Sequence, residues 1–418
     1  MIQRHDCGNG LRIVTEQIPS VRSVALGIWV GTGSKFEQES NNGISHFLEH
    51  MFFKGTESRS AKEIAEAFDE IGGNVNAFTS KEYTCYYARV LDQHATLALD
   101  VLADMYFHSV FDEGELEKEK NVVIEEISMY EDTPDDLVHD LIARASFADH
   151  PLGYSILGTE GVLRSLTRDD LVRYIDQRYT PDNTVVAVAG NFDDGLIEEI
   201  KRRFGHFRRS GGQARVEQPA FVARTTARHK ATEQAHLCLS LPGFQAGHDD
   251  IYSLILLNNV LGGSMSSRLF QEIREERGLA YSVYSYHTAY KETGMYTVYA
   301  GTAPDQVGEV FDIVTNILCD VTEHGITAKE LSKGKEQLKG SLMLSLESTN
   351  SRMSRLGKNE LLLGRHLSLD QMTEKIDAVT HDSILAAARQ LFHNQLAIAM
   401  VSPLEQFPAN VQNDVLIK

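Results

Sequence analysis

An internal repeat constrains the fold of this 418-residue chain more than any other feature of its sequence. Thr167 and the apolar run 184–189 recur 213 residues later as Thr380 and the apolar run 397–401. In each copy the threonine can cap a helix, and the apolar run that follows the helix is typical of a buried strand. Because the two copies share one register, we predict two homologous halves rather than a chance likeness of two short segments.

The boundary between these halves is predicted near the middle of the chain. Residues 209–219 have no apolar periodicity, which is typical of a linker, so we expect one domain over 1–208 and a second over 220–418. Both halves mix helical patterns with β-branched and aromatic hairpin patterns, such as 74–91. We therefore predict an α+β fold in which each half is a mainly antiparallel sheet packed with helices.

The charge balance indicates which kinds of ligand the chain can bind, and the cysteines indicate the compartment in which it is expected to act. Forty Lys and Arg against 59 Asp and Glu give a net charge of −19, which disfavours nucleic acid and favours cationic ligands, although acidic surfaces more often serve solubility. The four cysteines show neither C-x-x-C spacing nor disulfide density, so we expect the reducing cytoplasm. We expect neither a secretory signal nor a membrane span, because no apolar run is long enough.

The segment 45–51 contains the pattern His-x-x-Glu-His. On a helix, His46 and His50 lie about 40° apart and can bind one cation, while Glu49 lies beside them. The opposite face of this helix is apolar and can be buried. The motif alone leaves open a solvated polar face that carries two histidines by chance.

A catalytic zinc normally has three protein ligands, so a third must come from elsewhere. The helix predicted over 112–130 is rich in glutamates. Glu126 and Glu119 fall on the shoulder of its apolar stripe, whereas Glu125 falls on the solvent side. Glu126 is therefore the better candidate ligand, and Glu119 could orient another ligand. Most acids on such a helix can equally be solvated surface groups.

These residues resemble the pitrilysin-type inverzincin zinc peptidases of the insulinase family, whose signature is the inverted His-x-x-Glu-His motif. His46, Glu49 and His50 lie in His-Phe-Leu-Glu-His-Met-Phe-Phe-Lys-Gly-Thr, and Glu126 follows His50 by 76 residues in Val-Val-Ile-Glu-Glu-Ile. The resemblance implies one zinc ion per chain held by His46, His50 and Glu126, with Glu119 as an accessory acid. In this family the edge of a strand binds the substrate. Four residues of this chain resemble that edge: Asn76, Ala77, Phe78 and Thr79.

The second half is similar to the same family in the segments 267–270 and 274–281. There the match identifies Arg274 and Tyr281 as a pair that binds substrate, although an arginine on an amphipathic helix is ordinarily a solvated charge. No inverted motif occurs in this half, so it would shape the cavity without binding metal. The resemblance implies a clam-shell of two halves, a closed chamber and a homodimer.

Together these features predict a zinc-dependent endopeptidase that cleaves unfolded peptides or presequence-like segments in the chamber. Glu49 is too close in sequence to both histidines to bind the same ion easily, so its expected role is general base on zinc-bound water. The peptide would add as a strand along 76–79. The competing hypothesis is a non-catalytic scaffold of the same fold, which the retention of His46, Glu49, His50 and Glu126 disfavours.

Overall fold

Two β-sheets organise residues 2–209, 211 and 216–417, the part of the chain that the computed structural model describes. Of the predicted linker, residues 210 and 212–215 lie outside these ranges. Within the described ranges, every helix is too short or too polar to cross a bilayer.

The described residues of the first half form one sheet of six strands. These strands are β1 (Ile2–Asp6), β2 (Arg12–Gln17), β3 (Ser23–Val30), β4 (Asn74–Thr79), β5 (Thr84–Leu91) and β6 (Thr184–Gly190). Their order across the sheet is β1-β2-β6-β3-β5-β4. β2 and β6 are parallel, and the other neighbours are antiparallel. β6 is buried along its whole length, as expected for a β-branched apolar run in a central strand.

The second half repeats this arrangement within its described residues. Its strands are β7 (Thr225–His229), β8 (Ala235–Gly243), β9 (Ala280–Ala289), β10 (Gly294–Thr302) and β11 (Ala397–Ser402). The order β7-β11-β8-β10-β9 reproduces β2-β6-β3-β5-β4, with β7 and β11 as the parallel pair. The predicted α+β class with two homologous, mainly antiparallel sheets is confirmed.

Helices cover these sheets. In the first half they are α1 (Ile44–Met51), α2 (Ala61–Asp69), α3 (Ala95–His108), α4 (Glu113–Asp132), α5 (Pro134–Phe147), α6 (Glu160–Ser165), α7 (Arg168–Arg178) and α8 (Asp194–Phe204). In the second half they are α9 (Ile251–Gly262), α10 (Val307–His324), α11 (Ala328–Ser345), α12 (Thr349–Leu362), α13 (Leu369–Asp377) and α14 (His381–Phe392).

The predicted threonine caps are confirmed. Thr167 and Thr380 accept hydrogen bonds from the backbone N–H groups of Asp170 and Ser383, and each forms a reciprocal capping box. The second half also contains a π-helical segment, Phe270–Glu276.

The chain divides into two compact units that follow the sheets rather than the sequence midpoint. The first unit comprises Met1–Ile127, Ser155–Val216 and Leu344–His366, and the second comprises Ser128–Tyr154, Glu217–Met343 and Leu367–Lys418. Unlike the contiguous halves expected from the sequence, each unit therefore takes one helix from the other half. α12 packs on the first sheet and α5 packs on the second.

Candidate metal centre

The motif helix α1 begins after a glycine that its backbone requires. Gly43 has φ +98°, and a Cβ there would lie 2.6 Å from the carbonyl oxygen of Leu157. Glycine has no side chain to cap the helix, and the buried carboxylate of Glu37 supplies the acceptors instead. It accepts from the N–H groups of Gly43 (2.8 Å) and Ser45 (2.9 Å) and from the Asn42 amide (2.9 Å). Glu37 thus fixes where α1 starts, which sequence reasoning did not predict.

The predicted apolar face of α1 is confirmed. Its residues are at most 1% exposed and belong to the core of the first unit: Ile44, Phe47, Leu48 and Met51. This burial turns His46, Glu49 and His50 away from the core. The helix is therefore held by its apolar side and presents its polar side to α4.

Three side chains converge between α1 and α4. One ligand atom each from His46, His50 and Glu126 lies within 4.8 Å of the others, and among the described residues no other group of His, Cys, Asp and Glu does so. Glu126 Oε2 is 3.6 Å from His46 Nε2 and 3.5 Å from His50 Nε2. Tetrahedral ligands at about 2.0–2.1 Å from one zinc ion lie about 3.4 Å apart, so this donor set fits zinc. Glu125, expected on the solvent side, is exposed.

The two histidines differ in how they are oriented. His50 Nδ1 is 2.8 Å from Glu119 Oε1, so a proton on Nδ1 leaves the Nε2 lone pair facing Glu126. Glu119 Oε2 is in turn 2.5 Å from the ammonium group of Lys54. His46 Nδ1 is buried and has no hydrogen-bond partner among the described residues.

The electrostatics of the site favour a bound positive charge. Burial, with a smaller contribution from His50, lowers the pKa of His46 to about 4. Burial alone would also lower the pKa of His50, but hydrogen bonds and charges of Glu119 and Glu126 outweigh it and raise this pKa to about 9. The hydrogen bond with His50 lowers the pKa of Glu126 despite its partial burial. His46 and Glu126 are therefore already in the protonation states that a metal requires.

Glu49 lies beside the three converging side chains but is not one of them. Burial raises the pKa of Glu49, and the hydroxyl of Thr79 donates a 2.6 Å hydrogen bond to its Oε2. A carboxyl group with a raised pKa next to a metal-binding cluster suits proton transfer. Thr79, which the resemblance assigns to substrate binding, therefore also orients Glu49.

The strand beside Glu49 is an edge strand. In the described part of the chain, β4 pairs with β5 alone. Ala77 is buried, Phe78 packs edge-on against Trp29 at 5.5 Å, and the Asn76 side chain accepts from the N–H of Ala77 at 2.8 Å. A cavity of about 400 Å³ opens next to this strand, and its lining combines five apolar residues with Glu49, His50, Lys54, Asn76 and Glu119. An extended chain could pair with the free edge of β4.

The second unit holds the remaining pair of predicted site residues. The guanidinium carbon of Arg274 lies 4.8 Å from the ring centre of Tyr281 and 4.7 Å from that of Phe270. Tyr281 is 78% exposed. The structure thus brings Arg274 and Tyr281 together and adds Phe270, whose spacing of four residues from Arg274 was the signal available in the sequence.

Two family models and several curated proteins match this chain. The model of the insulinase (peptidase family M16) family matches residues 12–160, and that of the peptidase M16 inactive domain matches residues 165–338. The uncharacterized zinc protease YmxG of Bacillus subtilis is 58% identical over 409 residues, which covers 98% of this chain and 100% of that protein.

Two solved structures show the same fold. A protease from Helicobacter pylori superimposes with a TM-score of 0.90 at 22% identity and covers 96% of this chain and 99% of its own. A chain of Complex III2 from Candida albicans gives a TM-score of 0.87 at 21% identity and covers 100% of both chains. At these identities the likeness extends to the fold alone.

Proposed function

Because the chain belongs to the insulinase (peptidase M16) family, we propose that it is a zinc-dependent endopeptidase with its catalytic centre between α1 and α4. The observation that carries this proposal is the convergence of His46, His50 and Glu126 within 4.8 Å, with Glu49 beside them. Relatives from Bacillus subtilis and Streptomyces coelicolor that bear the name zinc protease support it.

The residues that would hold the zinc ion are His46 and His50 through Nε2 and Glu126 through its carboxylate. Their separations of 3.5 and 3.6 Å fit one small ion, and three protein ligands are the usual number for a catalytic zinc. When bound, zinc supplies Lewis-acid chemistry that acidifies water and polarises a carbonyl group.

Glu49 is the residue that moves the proton in this proposal. The pKa of Glu49 is raised toward neutral pH. This favours taking a proton from water and returning it to the leaving amine. The hydrogen bond from Thr79 holds one carboxylate oxygen, and the other oxygen is left to receive the proton. Glu49 therefore acts first as a base and then as an acid.

The substrate would be an unfolded peptide or a presequence-like segment. The free edge of β4 can accept an extended chain next to Glu49, and Arg274 with Tyr281 can offer a guanidinium and a hydroxyl to peptide carbonyl groups. We propose that a homodimer of the chain encloses this peptide in a chamber. The net charge of −19 weakly favours basic peptides.

A reducing compartment, the cytoplasm, is part of the same proposal. All four cysteines are free thiols: Cys7, Cys85, Cys238 and Cys319. Burial raises the pKa of the Cys85 and Cys238 thiols well above the ordinary value, so neither is suited to thiolate chemistry.

The test is hydrolysis of a quenched-fluorescence peptide library by the purified chain, before and after complete removal of metal. We expect hydrolysis to stop on chelation and to return with zinc, and the exposed-site variant E125Q to behave as the wild type. Hydrolysis that persists without metal would exclude a zinc mechanism. A zinc-loaded protein that cleaves no peptide in the library would favour the scaffold hypothesis.

A further inference from the structure

Lys54 lies four residues after His50, just beyond the end of α1. Its Nζ atom is 2.5 Å from Glu119 Oε2, and the other oxygen of the same carboxylate is 2.8 Å from His50 Nδ1. The contacts form a chain from Lys54 through Glu119 to a proposed metal ligand. None of the motifs in the sequence assigns a role to Lys54.

Glu119 depends on Lys54 because it is buried. Its side chain is 6% exposed and that of Lys54 is 29% exposed, so the two charges meet where water screens them poorly. A buried carboxylate that loses its cation either turns toward another donor or is left unpaired at a high cost. Either change would alter the position of the oxygen that holds His50.

In the described part of the chain, only one of the two histidines has a hydrogen-bond partner on Nδ1. His46 Nδ1 has no hydrogen-bond partner among the described residues, so Glu119 provides the carboxylate that fixes a histidine ring in the site. A partner on the far nitrogen sets both the tautomer and the angle of a ligating imidazole. If Glu119 moves, His46 therefore has no equivalent hydrogen bond among the described residues that could compensate.

We propose that Lys54 is a positioning residue of the zinc site. It anchors Glu119, and Glu119 in turn holds His50 with the Nε2 lone pair toward the ion. This inference rests on the proposed zinc-binding function and adds a residue to it. Lys54 touches neither substrate nor metal in this role, so its effect should appear in metal affinity before it appears in the chemical step.

An exposed ion pair on α4, the helix that carries Glu119, provides a matched control. Lys118 Nζ is 2.7 Å from Glu115 Oε1, but these side chains are 73% and 36% exposed, and neither contacts a ligand. Exposed pairs of this kind contribute little. K118M therefore removes a lysine from an ion pair of α4 without disturbing the contacts of Glu119.

The experiment measures the zinc dissociation constant of the full-length chain by competition with a chromophoric chelator, alongside the melting temperature of the metal-free protein. We expect K54M to weaken zinc binding by about 10- to 100-fold, K54R to restore most of the affinity, and K118M to bind as the wild type. K54Q, which keeps polarity but not charge, should show the same loss and replaces K54M if that variant does not fold.

A double-mutant cycle separates positioning from a general structural role. Because Lys54 acts through Glu119, the variant combining K54M with E119Q should bind zinc about as weakly as E119Q alone. Wild-type affinity in K54M or K54Q, or losses that multiply in the double variant, would overturn the inference. A wild-type chain that binds no zinc would instead overturn the proposed function, so the two failures are distinguishable.

Discussion

The two units contain the same five-strand arrangement, yet the helices at corresponding places differ in chemistry. In the first unit α1 carries His46, Glu49 and His50, whereas α9 in the second carries no histidine, cysteine or acidic residue. α4 and α11 start 215 residues apart, and at that offset Glu119 and Glu126 correspond to Gly334 and Ser341. The comparison shows that one fold can carry a candidate metal site in one unit and apolar packing at the corresponding place in the other.

The second unit fills the corresponding space with apolar packing. Gly334 on α11 is buried, and a Cβ at this position would lie 3.3 Å from the Leu256 side chain and 3.6 Å from that of Val260, both on α9. The helices in the second unit therefore approach closely through a glycine and a leucine. In the first unit the corresponding helices, α1 and α4, instead hold polar side chains at separations that suit a bound ion.

The largest expected effect comes from removing a ligand in the first unit. H50A leaves two protein ligands, so we expect zinc to be lost and peptide hydrolysis to fall to the uncatalysed background. N259A changes a polar residue of α9 in the second unit and should leave both unchanged. Metal analysis and peptide hydrolysis on the same samples check this prediction, and full zinc occupancy in H50A would contradict the ligand assignment.

The next largest effect is expected from a variant that loses the proposed base but keeps the proposed metal ligands. E49Q keeps the shape of the side chain and its contact with Thr79 but removes the base, so we expect hydrolysis to fall by about 10²- to 10⁴-fold. Zinc content should stay at the wild-type value. Unchanged turnover in E49Q would show that another group takes the proton.

The exchanged helix α12 gives a smaller effect on stability. A Cβ at Gly357 would lie 2.3 Å from the buried indole of Trp29, so G357A should lower the free energy of unfolding by roughly 1–3 kcal/mol. Gly340 on α11 has nothing within 4 Å of a built Cβ, and G340A should stabilise the helix by about 0.4–1 kcal/mol. Urea unfolding of both variants checks the pair, and a neutral G357A would mean that α12 does not pack closely on the first sheet.

Another small effect on stability is predicted for a carboxylate at the start of α11. Glu330 forms two short contacts with Arg268, of 2.7 and 2.9 Å, and accepts from Thr327. Although burial acts in the opposite direction, these contacts lower the pKa of Glu330 to about 2. The folded-state pKa lies below the ordinary value of 4.5, so the stabilisation is complete above that pH and is lost as the pH falls toward 2.

The measurement is the unfolding free energy between pH 6 and pH 3, in the wild type and in E330Q. We expect the wild type to lose on the order of 1–2 kcal/mol more than E330Q over this range. Parallel curves would contradict the assignment. Unlike Glu119, which connects a cation to a proposed ligand, Glu330 connects a cation to a helix cap, so zinc affinity should not change.

Local patterns predicted much of the fold and which side chains converge between α1 and α4. The repeat predicted two homologous halves, and the helical phase of 112–130 pointed to Glu126, because both depend on the regular spacing of nearby residues. The start of α1 at Ile44 was not predicted, since it is set by the left-handed φ of Gly43.

The features that the sequence did not predict depend on contacts over longer distances. The cap by Glu37 comes from a loop that precedes α1, and the contact between Lys54 and Glu119 joins residues 65 positions apart. The exchange of α5 and α12 between the units follows from which sheet each helix covers, and this packing joins residues that are far apart in the sequence. The π-helical turn at Phe270–Glu276 has no distinct pattern of its own.

Anomalous diffraction at the zinc edge, from crystals of the full-length chain, tests the central claim most directly. We predict one peak per chain, in the first unit and within bonding distance of His46, His50 and Glu126, with none between α9 and α11. A peak elsewhere, or the absence of a peak from a zinc-loaded and active sample, would contradict the assignment of the metal centre.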